Sequence, residues 1–172
     1  MSVDQAQELY RRLIAPIEDK MVSIISRTVP TPHDAADVLQ QALVVVWEKL
    51  PNLARHPNPH AYILRICLSC SLDHLRRRKR RREVPLPVDC PEPADCPPDP
   101  LTDSETAQTL RDAIGHLPPH QARAVVLRAL QDFSYADIGG ILGCSHQTAR
   151  SHFAKGLARL RGVLASLGRP QS

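Results

Sequence analysis

SYADIGGILGCSHQTARSHFAKGLARLR, residues 134–161, decides how the chain is read. Ser134 and Asp137 have the spacing of a capping box, in which each side chain satisfies a free backbone N–H at a helix start. Ile138, Ile141 and Leu142 then share one helical face. Gly143 suits the left-handed residue that ends a helix, and Ser145 can cap the next one. In that second helix Ala149, Phe153, Gly156 and Leu160 recur on one side, while Gln147, Arg150, Ser151, Ala154 and Lys155 fall on the other. Two short helices around a tight turn, the second presenting polar and basic groups, make a helix-turn-helix, whose second helix enters the DNA major groove. Arg and Gln can make bidentate contacts to guanine and adenine edges, each worth about 1–3 kcal/mol of discrimination. The segment alone also fits a helical hairpin with a solvated basic face.

The 172 residues suffice for one or two small domains. A hydrophobic content of 42% marks a globular chain, and a net charge of +4 suits a polyanionic partner. No 18-residue apolar run is present, so no membrane insertion is expected. The opening MSVDQAQELYRRL is amphipathic and lacks the apolar centre of a signal peptide, which predicts a cytoplasmic protein. Strand patterns are weak, and the fold class predicted is all-α. Five cysteines are an odd number and argue against a disulfide framework. Cys67, Cys70 and His74 share a helical face at C-x2-C-x3-H spacing, which fits either small core residues or a metal or redox site. Cys90 and Cys96 lie in a linker, and Cys144 is expected to pack inward at the turn.

Residues 83–104, EVPLPVDCPEPADCPPDPLTDS, hold seven prolines, six acids and no Lys or Arg. Such a segment forms no helix and buries little. At ~3.1 Å per residue it reaches roughly 68 Å, about two turns of duplex. It separates two helical domains, residues 1–82 and 105–172, expected to move independently. In the first, Ala6, Leu9, Leu13, Ile17, Met21 and Ile24 keep one helical register. Thr31-Pro32-His33-Asp34 opens a second helix, expected to pass Trp47 and stop before Pro51. A loop over 51–57 follows, and a helix from Asn58-Pro59 carries Ile63, Ile66, Cys67, Cys70 and Leu75 towards RRRKRRR, residues 76–82. These seven cations fit a phosphate-binding surface or a solvated run. Phosphate binding by such groups is steeply salt-dependent and reads no sequence. The second domain is broken by Leu117-Pro118-Pro119 before the helix-turn-helix.

Residues 32–81 and 113–164 together resemble the two domains of extracytoplasmic-function (ECF) sigma factors, of the sigma-70 family. Asp37, Gln40 and Trp47 with the later Asp73-x-x-Arg76-Arg77-Arg78 carry the first likeness. Leu117-Pro118-Pro119, Val125 and Ser134-Tyr135-x-x-Ile138-x-x-x-Leu142-Gly143 carry the second. The resemblance implies a transcription initiation factor without catalytic residues, cofactor, metal or small-molecule substrate. Its implied partners are core RNA polymerase, double-stranded and melted promoter DNA, and an anti-sigma factor. Asp37, Gln40, Gln41, Val44 and Glu48 would dock on the polymerase clamp. Asn58, His60, Tyr62, Arg65, Arg76, Arg77, Arg78, Lys79 and Arg80 would hold the melted −10 element and its backbone, with Tyr62 stacking on a base or serving as a core aromatic. His146, Gln147, Arg150, Ser151, Ala154 and Lys155 would face the −35 element, and the linker would thread the RNA exit path.

The chain departs from the family pattern at Gln41, where an acid is usual, and at Val44-Val45, where basic or small residues are common, so the clamp contact is expected to be either weaker or more apolar. Ala154 is small, so base reading there is expected to be either lost or reduced to a thymine-methyl contact. With only 3% aromatic residues, melting is expected to depend on loop capture and to favour strict promoters. Two other readings fit parts of the chain. One is a regulator using the helix-turn-helix alone, which leaves residues 1–82 without a task. The other is a metal or redox protein using Cys67, Cys70 and His74. No Walker loop, dinucleotide fingerprint or nucleophile–base motif is present.

Overall fold

The computed structural model describes residues 3–83 and 105–167, and every regular element among them is helical. The linker beyond Glu83, with Cys90 and Cys96, lies outside the described residues.

The first register splits in two. Helix α1 (Val3–Leu13) and helix α2 (Glu18–Thr28) are separated by a 3-10 turn over Ala15–Ile17. Pro16 has no N–H and its ring crowds the preceding turn, so one continuous helix cannot pass through it. Both flanks stay buried, with Leu13, Ile17, Met21 and Ile24 in the core. Helix α3 (Pro32–Leu53) starts as expected: Thr31 Oγ1 accepts the Asp34 N–H at 3.1 Å. It does not stop before Pro51 but carries that proline in its last turn. Only one intrahelical bond is forgone there, and burial of Leu50 and Leu53 holds the turn closed. Helix α4 (Pro59–Glu83) is capped by Asn58, whose Oδ1 accepts the Ala61 N–H at 3.1 Å. The basic run forms its last turns.

Helix α5 (Glu105–His116) and helix α6 (Pro119–Val125) flank the Leu117-Pro118 break. Helix α6 continues as a π-helical turn over Val126–Leu130, and Asp132 follows at φ 55°. Helix α7 (Tyr135–Leu142) and helix α8 (His146–Leu167) complete the chain. Both hydrogen bonds of the Ser134–Asp137 capping box are formed, and Gly143 is left-handed at φ 71°. Ser145 Oγ accepts the Thr148 N–H at 3.1 Å. A Cβ on Gly139 would lie 2.6 Å from the Cys144 carbonyl oxygen, so the turn closes only over a glycine. At Gly156 a Cβ would lie 2.7 Å from Val125 Cγ2, which marks the close approach of α8 to α6.

Helix α4 is the shared wall. Ile63, Leu68, Leu72 and Leu75 are all buried, so its apolar surface exceeds what α2 and α3 cover. Helices α5 and α7 pack on the remainder. The described residues therefore place the two helical sets against each other, rather than apart as the linker suggested. Leu75 Cβ comes within 3.6 Å of where a Cβ of Gly115 would stand.

Candidate nucleic-acid and polymerase interface

Burial divides α8 along its length. Ala149, Gly156 and Leu160 are buried and Phe153 packs against the core. His146, Gln147, Arg150, Ser151, Ala154 and Lys155 are all exposed. The structure thus brings these six candidates onto one open strip of the helix. His152 lies at its edge and stacks on His120 of α6, ring centroids 5.3 Å apart. Burial, the charge of His120 and the charge of Lys155 hold His152 below its ordinary value. Cys144 is half-buried against the core beneath the turn.

The outer row of α3 is equally open. Asp37, Gln40, Gln41, Val44 and Glu48 are exposed, while Val38, Ala42, Val46 and Leu50 form the opposite, buried row. Val44 is 53% exposed, and Trp47 one turn on is 51% exposed. Trp47 stood out in the sequence as part of a pattern, not as a site residue. Its spacing of three from Val44 on an outward row is the signal that places it there. Val44 and Trp47 are among the large apolar side chains that the described fold leaves exposed.

Where α3 meets α4, Lys49, Asn52, Leu53, His56 and Tyr62 line a cleft of about 100 Å³. The Tyr62 ring is half-buried, with His56 5.1 Å away and the Arg65 guanidinium 4.9 Å from its centroid. An aromatic face, a guanidinium and an ammonium around a cleft can take a flat base and its phosphate. Sequence reasoning missed Lys49 and Asn52, because they come from the turns of α3 that were expected to end or unravel near Pro51. Asn58 is committed to its cap, and His60 Nε2 sits 3.4 Å from the Arg12 carbonyl.

The basic run is not uniform. Arg77, Arg80 and Arg81 are exposed. Arg78 Nη1 donates to Asp34 Oδ2 at 3.2 Å, and Asp34 also faces His74 Nε2 at 3.6 Å. Burial pushes His74 below the usual histidine range, against the pull of Asp34. Lys79 Nζ lies 3.4 Å from His116 Nδ1. Arg76 turns to the second helical set, donating from Nε to the Gly115 carbonyl at 3.0 Å and from Nη2 to the Leu117 carbonyl at 3.4 Å. The Cys67 thiol is buried and pushed up to about 12, chiefly by burial, so it remains protonated. A protonated thiol is a poor metal ligand, and no group of three or more metal-ligating side chains occurs among the described residues. No helix among them is long and apolar enough to cross a membrane.

Comparison with known proteins fits this layout. The family models sigma-70 region 2 and sigma-70, region 4 match residues 9–81 and 107–160. The ECF RNA polymerase sigma factor SigE of Mycolicibacterium smegmatis is 32% identical over 164 residues, which cover 93% of this chain and 63% of that protein. This chain therefore spans somewhat less than two thirds of that relative's length. The RNA polymerase sigma-E factor of Streptomyces avermitilis is 32% identical over 162 residues, covering 91% of this chain and 86% of that protein. Among solved structures, CnrH in complex with the cytosolic domain of CnrY shares the fold, with a TM-score of 0.54 at 22% identity over 93% of this chain and 90% of that one. The chain belongs to the ECF sigma factors of the sigma-70 family, which direct RNA polymerase to promoters to begin transcription.

Proposed function

We propose that this sigma factor divides its work between residues 1–82, which bind core polymerase and the melted −10 element, and residues 105–172, which read the −35 element. Helix α8 enters the major groove with Arg150 and Lys155 on base edges, Gln147 and Ser151 beside them, and His146 and Ala154 at the margins. The α3 row from Asp37 to Glu48, with Val44 and Trp47 at its centre, docks on the polymerase. The Tyr62 cleft takes an unpaired base, and Arg65, Arg76, Arg77, Arg78, Lys79 and Arg80 supply cations to the backbone. The protein performs no chemistry of its own, needs no cofactor and acts in the cytoplasm. An anti-sigma factor would silence it by covering both surfaces.

The observation that carries this reading is the exposed strip of six polar, basic and small side chains on α8, above a capped and glycine-locked turn. Each phosphate engaged around it releases counterions, and each bidentate base contact adds discrimination. The test is run-off transcription: the chain is added to core polymerase on genomic DNA and the 5′ ends are sequenced. Defined start sites that vanish with Arg150→Ala and Lys155→Ala support the assignment. Start sites that persist unchanged in those variants would refute it.

A further inference from the structure

We propose that His120 and His152 form, with Lys155, a proton-linked seat for one backbone phosphate of the DNA duplex, at the edge of the exposed strip on α8. This rests on the sigma-factor reading above. The rings of His120 on α6 and His152 on α8 stack with centroids 5.3 Å apart and planes 21° from parallel. At about 3.6 residues per turn, His152 stands between Lys155 on the exposed strip and Gly156 in the buried row. Gly156 brings the two helices together at this point. A Cβ on it would lie 3.3 Å from the carbonyl oxygen of Gln121, the residue after His120. The contact therefore holds two imidazoles side by side, His120 exposed and His152 half-buried.

The width of the groove says what this edge would meet. A helix with its side chains is about 10–12 Å across and the major groove is about 12 Å wide, so a seated helix fills it from wall to wall. Its centre line meets base edges, and its flanks meet the sugar-phosphate walls. With the strip turned to the bases, the histidine pair faces one wall, beside the Lys155 ammonium.

The seat has no counter-charge of its own. Among the described residues no carboxylate pairs with either ring. One turn from His152 on α8, Thr148, Ala149 and Gly156 are neutral and only Lys155 is charged. Arg123 of α6 is turned to Ser69, Asp137 of α7 to Ser134, and Asp112 of α5 to Gln108. Arg111 and His116 of α5 do not act on His152 either. Burial first, then the charges of His120 and Lys155, hold His152 below its ordinary value, so without DNA it is neutral at pH 7. A neutral imidazole donates from one nitrogen and an imidazolium from both. A phosphate accepts charge-assisted bonds and supplies the missing negative charge, which raises His152 again. Binding at the seat therefore takes up a proton. Affinity rises as pH falls from about 8 to about 6, and levels off once the unbound ring is protonated too.

The test uses holoenzyme assembled from the full chain and core polymerase, on a promoter duplex defined by the run-off assay above. Affinity is followed by fluorescence anisotropy between about pH 8 and pH 6 for the unaltered chain, His120→Gln and His152→Gln. Glutamine keeps a donor and does not titrate. Comparing the three forms cancels the titration of every other histidine, His146 and His56 included. Over this range the unaltered chain should gain about fivefold more affinity than either variant. At the acid end its plot of log affinity against log salt should be steeper than theirs by about 0.9, the mark of one more phosphate engaged. Equal pH dependence in all three forms would overturn the seat, as would a pH difference with parallel salt plots. Should His152→Gln lower the melting temperature, the exposed His120→Gln decides the comparison. Absence of defined start sites would instead count against the sigma-factor reading, whereas correct starts with a histidine-independent pH profile sink the seat alone.

Discussion

Helix α8 and the last turns of α4 both carry clustered cations, yet they are arranged in opposite ways. On α8 the charged and polar side chains stand clear of the fold, with a buried row directly behind them. On α4, Arg76, Arg78 and Lys79 lean on neighbours, and Arg77, Arg80 and Arg81 remain in the open. A surface that reads bases needs side chains free to meet a new partner in fixed register. A surface that only holds phosphate tolerates side chains that exchange one partner for another. On the proposed function the difference separates specificity from affinity, and each half can be broken separately.

The largest effect is expected at the turn beneath α8. Gly139→Ala forces a Cβ against the Cys144 carbonyl, and overpacking of this kind costs about 1–3 kcal/mol. Urea denaturation should show that loss, and −35 recognition should fail with it. Next, Arg150→Ala should cost about 1–3 kcal/mol on the cognate promoter and little on DNA altered at the contacted base pair. Competition binding with a series of single-base changes measures this. A uniform loss across the series would place Arg150 on the backbone.

Smaller and of a different kind, Arg77→Ala and Arg80→Ala should weaken all promoters alike. Each should flatten the plot of log affinity against log salt by about 0.9. Asp34→Asn sharpens the contrast within α4: it frees Arg78, so the salt dependence should steepen even as thermal stability drops slightly. Least is expected from pH. His74 and His152 are both held below the ordinary histidine value, chiefly by burial. The unfolded chain takes up these protons first, so stability is complete above about pH 6.5 and declines as pH falls below it. Thermal melts between pH 7.5 and 5.5 should show the decline, and His74→Gln should reduce it.

What the sequence disclosed follows the range of the interactions involved. The helix-turn-helix was legible because its determinants are local: Ser134 with Asp137, Gly143 and Ser145 each act within one turn of their own position. The exposed row of α8 was legible for the same reason, through helical period, whereas the row of α3 was named only through the family resemblance. Pro16 and Pro51 show where local reading fails. Both are helix breakers by type, but Pro16 interrupts and Pro51 does not, because the buried Leu50 and Leu53 hold the final turn of α3. Lys49 and Asn52 were lost with that turn. The commitment of Arg76 and Arg78 was out of reach, since their partners Gly115 and Asp34 lie 39 and 44 residues away. A run of seven cations reads as uniform until the neighbours of each are known.

Gly156 sets how deeply α8 beds into α6, because a single methyl there would meet Val125. Any larger residue would lift the helix and roll its outer strip against the rest of the lobe. On the proposed reading of α8, promoter preference is thus adjustable from the inside, by a substitution that never meets a nucleotide. Variants selected for altered start sites are worth sequencing at positions 125 and 156 as well as along the exposed strip of α8.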